Sequence, residues 1–184
     1  MKSDIARWNQ KYAKRTPDFQ PDTLLTDFQD LLTGGGAAID IACGVGQNAL
    51  FLARRGYQAF AVDCSVVGVR YCMEAAQQEG LAVFPFVADL DRYRLPKNQF
   101  DIIVVFRFLN RELITNIKHA LKHDGLVFYQ TFNRNFLAEH PEFNPAYIVR
   151  PGELSEMFAD LVCCATNDAD CTTESQTYWI GRKN

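Results

Sequence analysis

The sequence has no cluster of basic residues, no apolar run long enough to cross a bilayer and no CxxC pair, and each absence excludes a class of protein. With a formal net charge of −3 and no local basic patch to offset it, the surface offers no broad attraction for a phosphate backbone. Nucleic acid is therefore not an expected partner. The opening string Met1-Lys2-Ser3-Asp4-Ile5-Ala6-Arg7-Trp8 lacks the apolar centre of a signal peptide. With no spanning segment either, the expectation is a soluble cytoplasmic protein with no membrane partner. Six cysteines, Cys43, Cys64, Cys72, Cys163, Cys164 and Cys171, show no framework spacing; they are predicted to be reduced and mostly buried, where a thiol behaves as a small hydrophobe. His119 and His123 have the i, i+4 spacing of a metal pair. They are predicted to lie in the last turn of a helix, where cations are favoured in any case, and no metal site is expected.

What the chain does have is apolar content, 48% of its 184 residues, enough for one substantial core and one domain over residues 1–184. Helix and strand patterns alternate along it. Residues 22–32 place Leu24, Leu25, Phe28, Leu31 and Leu32 on one helical face, and Thr33-Gly34-Gly35-Gly36 stops that helix. Strands are predicted at 37–42, 57–63, 81–87, 101–106, 126–132, 161–166 and 175–181. Helices are predicted at 47–55, from a cap at Ser65 to an exit at Gly80, at 110–122 and at 153–159, with a loop holding Pro141, Pro145 and Pro151. Pro85 cannot donate to a ladder, so its strand belongs at an edge; the β-branched run 101–106 suits a strand covered on both faces and belongs at the centre.

This is the pattern of an α/β protein: a Rossmann-like, doubly wound, seven-stranded, mostly parallel sheet with helices on both faces. Ligands of such sheets lie outside the carboxyl ends of the strands. The predicted site therefore collects residues 43–48, 63–65, 88–90 and 106–111.

Asp40-Ile41-Ala42-Cys43-Gly44-Val45-Gly46-Gln47-Asn48 runs an apolar strand into a glycine turn with a helix directly after it, and the second strand ends in Asp63. Glycines two apart allow a sharp turn and close approach to a ligand, and an acid after the second strand suits a ribose. Two cofactor classes share that layout. Gly44-Val45-Gly46-Gln47-Asn48-Ala49 passes the GxGxxA form of the dinucleotide fingerprint, which leaves an NAD(P)-dependent oxidoreductase as the alternative. Asp40 inside the first strand, Asp89 after the third, and a closing strand, loop and strand in place of a second mononucleotide half favour S-adenosylmethionine. A catalytically silent cofactor-binding module is a third reading.

The residues also carry a family resemblance. The stretch 39–48 resembles motif I of class I S-adenosylmethionine-dependent methyltransferases, and Ala61-Val62-Asp63, Ala88-Asp89-Leu90 and Phe100-Asp101-Ile102-Ile103 resemble the motifs that follow it. Trp8-Asn9-Gln10-Lys11-Tyr12, the ACGxGQN turn and Pro151-Gly152-Glu153-Leu154 are similar to small-molecule enzymes of the tellurite-resistance type. The resemblance implies that the backbone of Cys43, Gly44 and Gly46 approaches the amino-acid part of the cofactor, with Asp40 anchoring its ammonium. It implies Asp63 on the ribose hydroxyls, Asp89 facing the adenine amino group, Cys64 and Leu90 lining the ring, and Tyr12 closing over the methionine end. Trp8, Asn48 and Phe106 complete that cofactor set, residues 1–36 form a helical lead-in over it, residues 37–184 form the core, and S-adenosylhomocysteine is the product.

A sulfonium methyl is already activated, so alignment and a dry pocket are what such a protein must supply. Arg107, Arg111 and Arg150 are candidates to hold an anionic small-molecule acceptor, a class that includes metalloid oxyanions, with Arg134 a further one. Arg107 and His140 are the candidates for a direct catalytic role. Asn144-Pro145-Ala146-Tyr147 is similar to the NPPY of adenine-amino methyltransferases but does not follow strand four, and no Pro-Cys dipeptide supports cytosine-C5 methylation. The expected assembly is a monomer or homodimer.

Overall fold

A computed structural model describes residues 2–169 and 173–184, with side chains from Asp4 onward; Met1 and Cys171 lie outside the described residues. The chain divides into two compact units, Met1–Arg94 and Leu95–Asn184.

The first unit holds α1 (Lys2–Ala13), α2 (Thr23–Asp27), β1 (Ala37–Ile41), α3 (Gln47–Arg54), β2 (Gln58–Asp63), α4 (Val66–Glu79) and β3 (Val83–Val87). β1 pairs in parallel with β2, and β2 with β3. All five residues of β1 are buried, Asp40 included, as expected of a parallel strand covered on both faces. α4 begins and ends as its sequence dictates: the Ser65 hydroxyl accepts the Gly68 N–H at 3.2 Å, and Gly80 closes the helix in the left-handed region.

The second unit holds β4 (Phe100–Phe106), α5 (Ile114–Ala120), β5 (Leu121–Phe132), α6 (Arg134–Glu139), α7 (Glu153–Met157), β6 (Val162–Thr166) and β7 (Gln176–Arg182). β4 and β5 are parallel, while β7 runs antiparallel to both β5 and β6. The strand order is β3-β2-β1-β4-β5-β7-β6, a seven-stranded, mostly parallel sheet. β3 stands at an edge and β4 at the centre, as Pro85 and the β-branched run require. Among the described residues no helix is long and apolar enough to cross a membrane.

Four local readings need correction. The 22–32 helix is two pieces: α2 stops at Asp27, and a 3-10 turn, Gln29–Leu31, follows Phe28. The 110–122 helix opens with a 3-10 turn, Arg111–Leu113, capped by the Asn110 side chain, and α5 ends at Ala120. β5 starts at Leu121, five residues earlier than predicted, because Leu121 already pairs with Phe100; Asp124 (φ 63°) and Gly125 form an irregularity within the ladder, not a turn before it. His123 therefore lies on a strand and does not share a helix face with His119. Finally, the proline loop contains α6, whose cap is the Asn133 side chain on the Asn135 N–H.

Candidate functional site

In the first unit the loops after β1 and β2 are built around one carboxylate. Ala42, Gly44 and Gly46 all adopt left-handed backbone, with φ of 58°, 59° and 83°. This alternation folds the turn tightly, and for Ala42 it carries a strain of about 1–2 kcal/mol. The N–H groups so directed are committed to protein acceptors: Cys43 to Val62 O at 3.0 Å, Gly46 to Cys43 O at 2.9 Å, and Gly44 to Asp63 Oδ2 at 2.9 Å. Asp63 Oδ1 accepts the Ser65 N–H at 2.8 Å.

Asp63 is only 6% exposed. Burial pushes its carboxyl above the ordinary carboxylate value, against the opposing pull of the Ser65 and Gly44 N–H groups. A carboxylate offers about four lone-pair sites, and Cys64 bonds this one as well, so Asp63 is the acceptor on which both loops converge. Burial, followed by the charges of Asp40 and Asp63, also raises the Cys43 thiol, and burial and Asp63 push Cys64 up to about 11. Both cysteines are thus neutral thiols near neutral pH.

Two glycines are fixed here by space. A Cβ on Gly46 would lie 2.1 Å from Cys72 Sγ, and one on Gly44 would lie 2.7 Å from the Tyr12 hydroxyl. Tyr12 therefore lies against the turn at Gly44. Trp8 stacks on Tyr12 at 5.7 Å between ring centroids, and the Lys11 ammonium stands 4.2 Å from the Trp8 ring.

Asp40 is buried within β1. Asn48 Oδ1 accepts the Asp22 N–H at 2.9 Å, which ties the start of α2 to the start of α3. Asp89 folds its own turn, with Oδ1 accepting the Asp91 N–H at 3.0 Å, and Leu90 beside it is buried. Sequence reasoning missed Asn9, whose Oδ1 accepts the Ser65 hydroxyl at 2.7 Å and the Val67 N–H at 3.3 Å. Its i, i+3 spacing to Tyr12 was the available signal, since it puts both on one helical face.

The second unit carries the acceptor candidates. Phe106 is buried at the end of β4. Arg107 follows in left-handed backbone (φ 55°), with its N–H on Gln130 O at 2.8 Å. Arg111 is a structural clasp: Nε donates to Glu153 Oε1 at 2.7 Å, and its terminal nitrogens donate to Ala146 O at 2.8 Å and Ile148 O at 3.0 Å. Glu153 also accepts the Arg150 N–H at 2.9 Å, and the Arg150 guanidinium bonds Glu156. Burial pushes the Glu153 carboxyl up, but Arg111 and the Arg150 amide outweigh it, so the net displacement is below the ordinary value. These groups line an open cavity of about 600 Å³, with Arg134, Val149 and Pro151 among its walls. His140 is exposed, 4.4 Å from the Phe136 ring centroid, and its Nδ1 lies 3.7 Å from Glu142.

Comparison with known proteins agrees with this geometry. Residues 38–125 match the family model described as a methyltransferase domain. The chain is 30% identical over 95 residues to the probable S-adenosyl-L-methionine-dependent methyltransferase TehB of Haemophilus influenzae, covering 50% of this chain and 33% of that one. It is 28% identical over 115 residues to a ubiquinone biosynthesis O-methyltransferase of Coxiella burnetii, covering 60% and 49%. The chain thus matches a third to a half of the length of these curated relatives. The crystal structure of Haemophilus influenzae TehB superposes with a TM-score of 0.76 at 18% identity, over 96% of this chain and 67% of that one, and shows the same fold.

Proposed function

We propose that this chain, which carries a methyltransferase domain over residues 38–125 and resembles the class I S-adenosylmethionine-dependent methyltransferases, transfers the methyl group of S-adenosylmethionine to a small-molecule acceptor. The observation that carries the reading is the destination of the turn's N–H groups. A dinucleotide cradle presents N–H donors to a pyrophosphate. Here the N–H groups of Cys43, Gly44 and Gly46 are bonded inside the protein. What the loops offer a ligand is acceptor capacity, chiefly the Asp63 carboxylate, and acceptors suit the hydroxyls and ammonium of an adenosyl amino acid. The oxidoreductase alternative is correspondingly disfavoured.

Asp63 would hold the ribose hydroxyls, the turn at Gly44 would face the amino-acid end, and Tyr12 would cover it; Asp89 and Leu90 would stand by the adenine. When bound, the cofactor supplies an activated methyl group on sulfur. The chain's own task is to align it and exclude water. We assign the acceptor to the anionic class, as a carboxylate, a phosphate or a metalloid oxyanion, received in the 600 Å³ cavity. The support is that Arg111, Arg134 and Arg150 are among its lining residues, and that Arg111 and Arg150 already hold carboxylates, those of Glu153 and Glu156. We take the protein to be a cytoplasmic monomer or homodimer that acts as one domain.

Calorimetric titration of the protein with S-adenosylhomocysteine and, separately, with NADH tests the cofactor. Micromolar binding of the first and none of the second is expected; the reverse result overturns the reading. A methyl-transfer screen with labelled donor over anionic and neutral acceptors then tests the acceptor class, and turnover of neutral acceptors alone would remove the anionic assignment.

A further inference from the structure

α1 is weakly anchored for a helix of twelve residues. Ile5, Trp8, Asn9 and Tyr12 make its inner face at helical spacing, and all four are only half-buried. Such a helix gains little from apolar burial, so its polar contacts carry unusual weight in fixing its place. Among these are the contacts of Asn9. Its carboxamide oxygen accepts the Ser65 hydroxyl at 2.7 Å and the Val67 N–H at 3.3 Å, across more than fifty residues of sequence.

Ser65 is fully buried and has every polar group directed. Its hydroxyl hydrogen goes to Asn9, its hydroxyl oxygen accepts the Gly68 N–H at 3.2 Å, and its backbone N–H goes to Asp63 Oδ1 at 2.8 Å. Asn9 thus sets the hydroxyl's rotation, which leaves the oxygen lone pair for Gly68 and holds the Ser65 amide against the carboxylate. A second point of contact lies close by. A Cβ on Gly68 would come within 2.5 Å of Gly44 O and 3.2 Å of the Tyr12 ring, so α4, the glycine turn and α1 meet at van der Waals distance. The helix therefore bears on both loops whose hydrogen bonds orient Asp63.

We propose that Asn9 is a positioning residue for the cofactor's ribose, acting through Ser65 on the Asp63 carboxylate. The proposal rests on the cofactor assignment above and adds to it a residue that no ligand need touch. It also makes α1 docking and ribose binding one linked equilibrium: whatever binds the docked arrangement more tightly stabilises it, and loss of docking lowers affinity in return.

The test is a cycle that crosses two variants with two ligands. S-adenosylhomocysteine and its 2′,3′-dideoxyribose analogue are titrated into the wild-type chain, Asn9→Ala and Asn9→Asp, with melting temperatures recorded for each. In the wild type, removal of the ribose hydroxyls should weaken binding about tenfold or more. In Asn9→Ala the intact ligand should bind about five- to tenfold more weakly and the analogue nearly as in the wild type, so the ribose penalty collapses. Asn9→Asp keeps the acceptor oxygen and should restore most of that penalty. It also serves as the variant to read, against Asn9→Gln, if the alanine form does not fold. Equal losses for both ligands, or no loss, would overturn the positioning role while leaving the cofactor reading intact. Failure of the wild type to bind S-adenosylhomocysteine at all would overturn both.

Discussion

The N–H of Gly44 donates to Asp63 Oδ2 at 2.9 Å, so the turn after β1 and the acid at the end of β2 hold one another in place. The Ser65 N–H fixes the other carboxylate oxygen. The carboxylate is therefore both a structural acceptor and the proposed ribose ligand, and a substitution must disturb both. Asp63→Ala is expected to weaken S-adenosylhomocysteine binding by at least about 1.5 kcal/mol, the scale of a hydrogen bond to a charged group. Asp63→Asn should also lower the melting temperature, because one face of its amide would present a donor to a backbone donor. Titration calorimetry and thermal melts on the same samples separate the two effects, and unchanged affinity in Asp63→Ala would remove the residue from the ribose role.

Binding should follow pH in a defined sense. Burial raises the Asp63 carboxyl above 3.8, so protonation sets in at a higher pH than for an ordinary aspartate, and protonation removes acceptor capacity. Affinity for S-adenosylhomocysteine should hold near neutrality and fall as the pH drops through that raised value. Titrations from pH 7 down to pH 5 check this, and Asp63→Ala should show a flatter profile.

Gly46 tests the packing of α4 on the turn. It has φ 83°, and an added methyl would lie 2.1 Å from Cys72 Sγ and 2.7 Å from its Cβ. Left-handed strain costs about 1–2 kcal/mol and overpacking about 1–3 kcal/mol, so Gly46→Ala should destabilise by about 2–5 kcal/mol in urea unfolding. Adding Cys72→Gly should recover the steric part only, because the backbone strain stays.

The central place of β4, the edge place of β3 and the caps of α4 were legible in the sequence because each follows from local chemistry: a β-branched run, one proline, one serine and one glycine. Asp63 was legible for the same reason, as an acid at the end of a strand. Asn9, Glu153 and Asp168 were not, since their partners lie 13 to 58 residues away in sequence and nothing local signals the pairing. For Arg111 the sequence signals a cation after a central strand and nothing of its partners: its donors fasten residues 146, 148 and 153 of its own chain. β5 was shortened in the reading because Asp124-Gly125 is a strong turn signal that the ladder here absorbs as an irregularity.

Asp168 caps α7 from outside the helix. Its cap residue Gly152 makes no side-chain bond, and the buried Asp168 carboxylate accepts the Gly152 N–H at 3.0 Å and the Ser155 N–H at 2.7 Å. Asp168→Ala leaves both N–H groups without that acceptor and should cost about 1–3 kcal/mol. Chemical denaturation of the variant measures it, and a loss below about 0.5 kcal/mol would mean that water replaces the carboxylate.

The Glu153 clasp gives a pH signature of opposite kind to that of Asp63. Its carboxyl is held below the ordinary 4.5 by Arg111 and the Arg150 amide, despite the contrary push of burial. A group whose folded pKa is depressed contributes stability that is full above its unfolded value and is lost as pH falls through its folded value. Wild type should therefore exceed Glu153→Gln in unfolding free energy at pH 7, by about 1–2 kcal/mol for a charge-assisted bond with one half-exposed partner. The gap should narrow from about pH 4.5 downward. The variant should also loosen residues 146–148, where Arg111 is fastened, and faster amide exchange there at pH 7 with unchanged exchange in α4 would place the effect at the clasp; a gap that does not vary with pH would show that Glu153 is held by shape and not by charge.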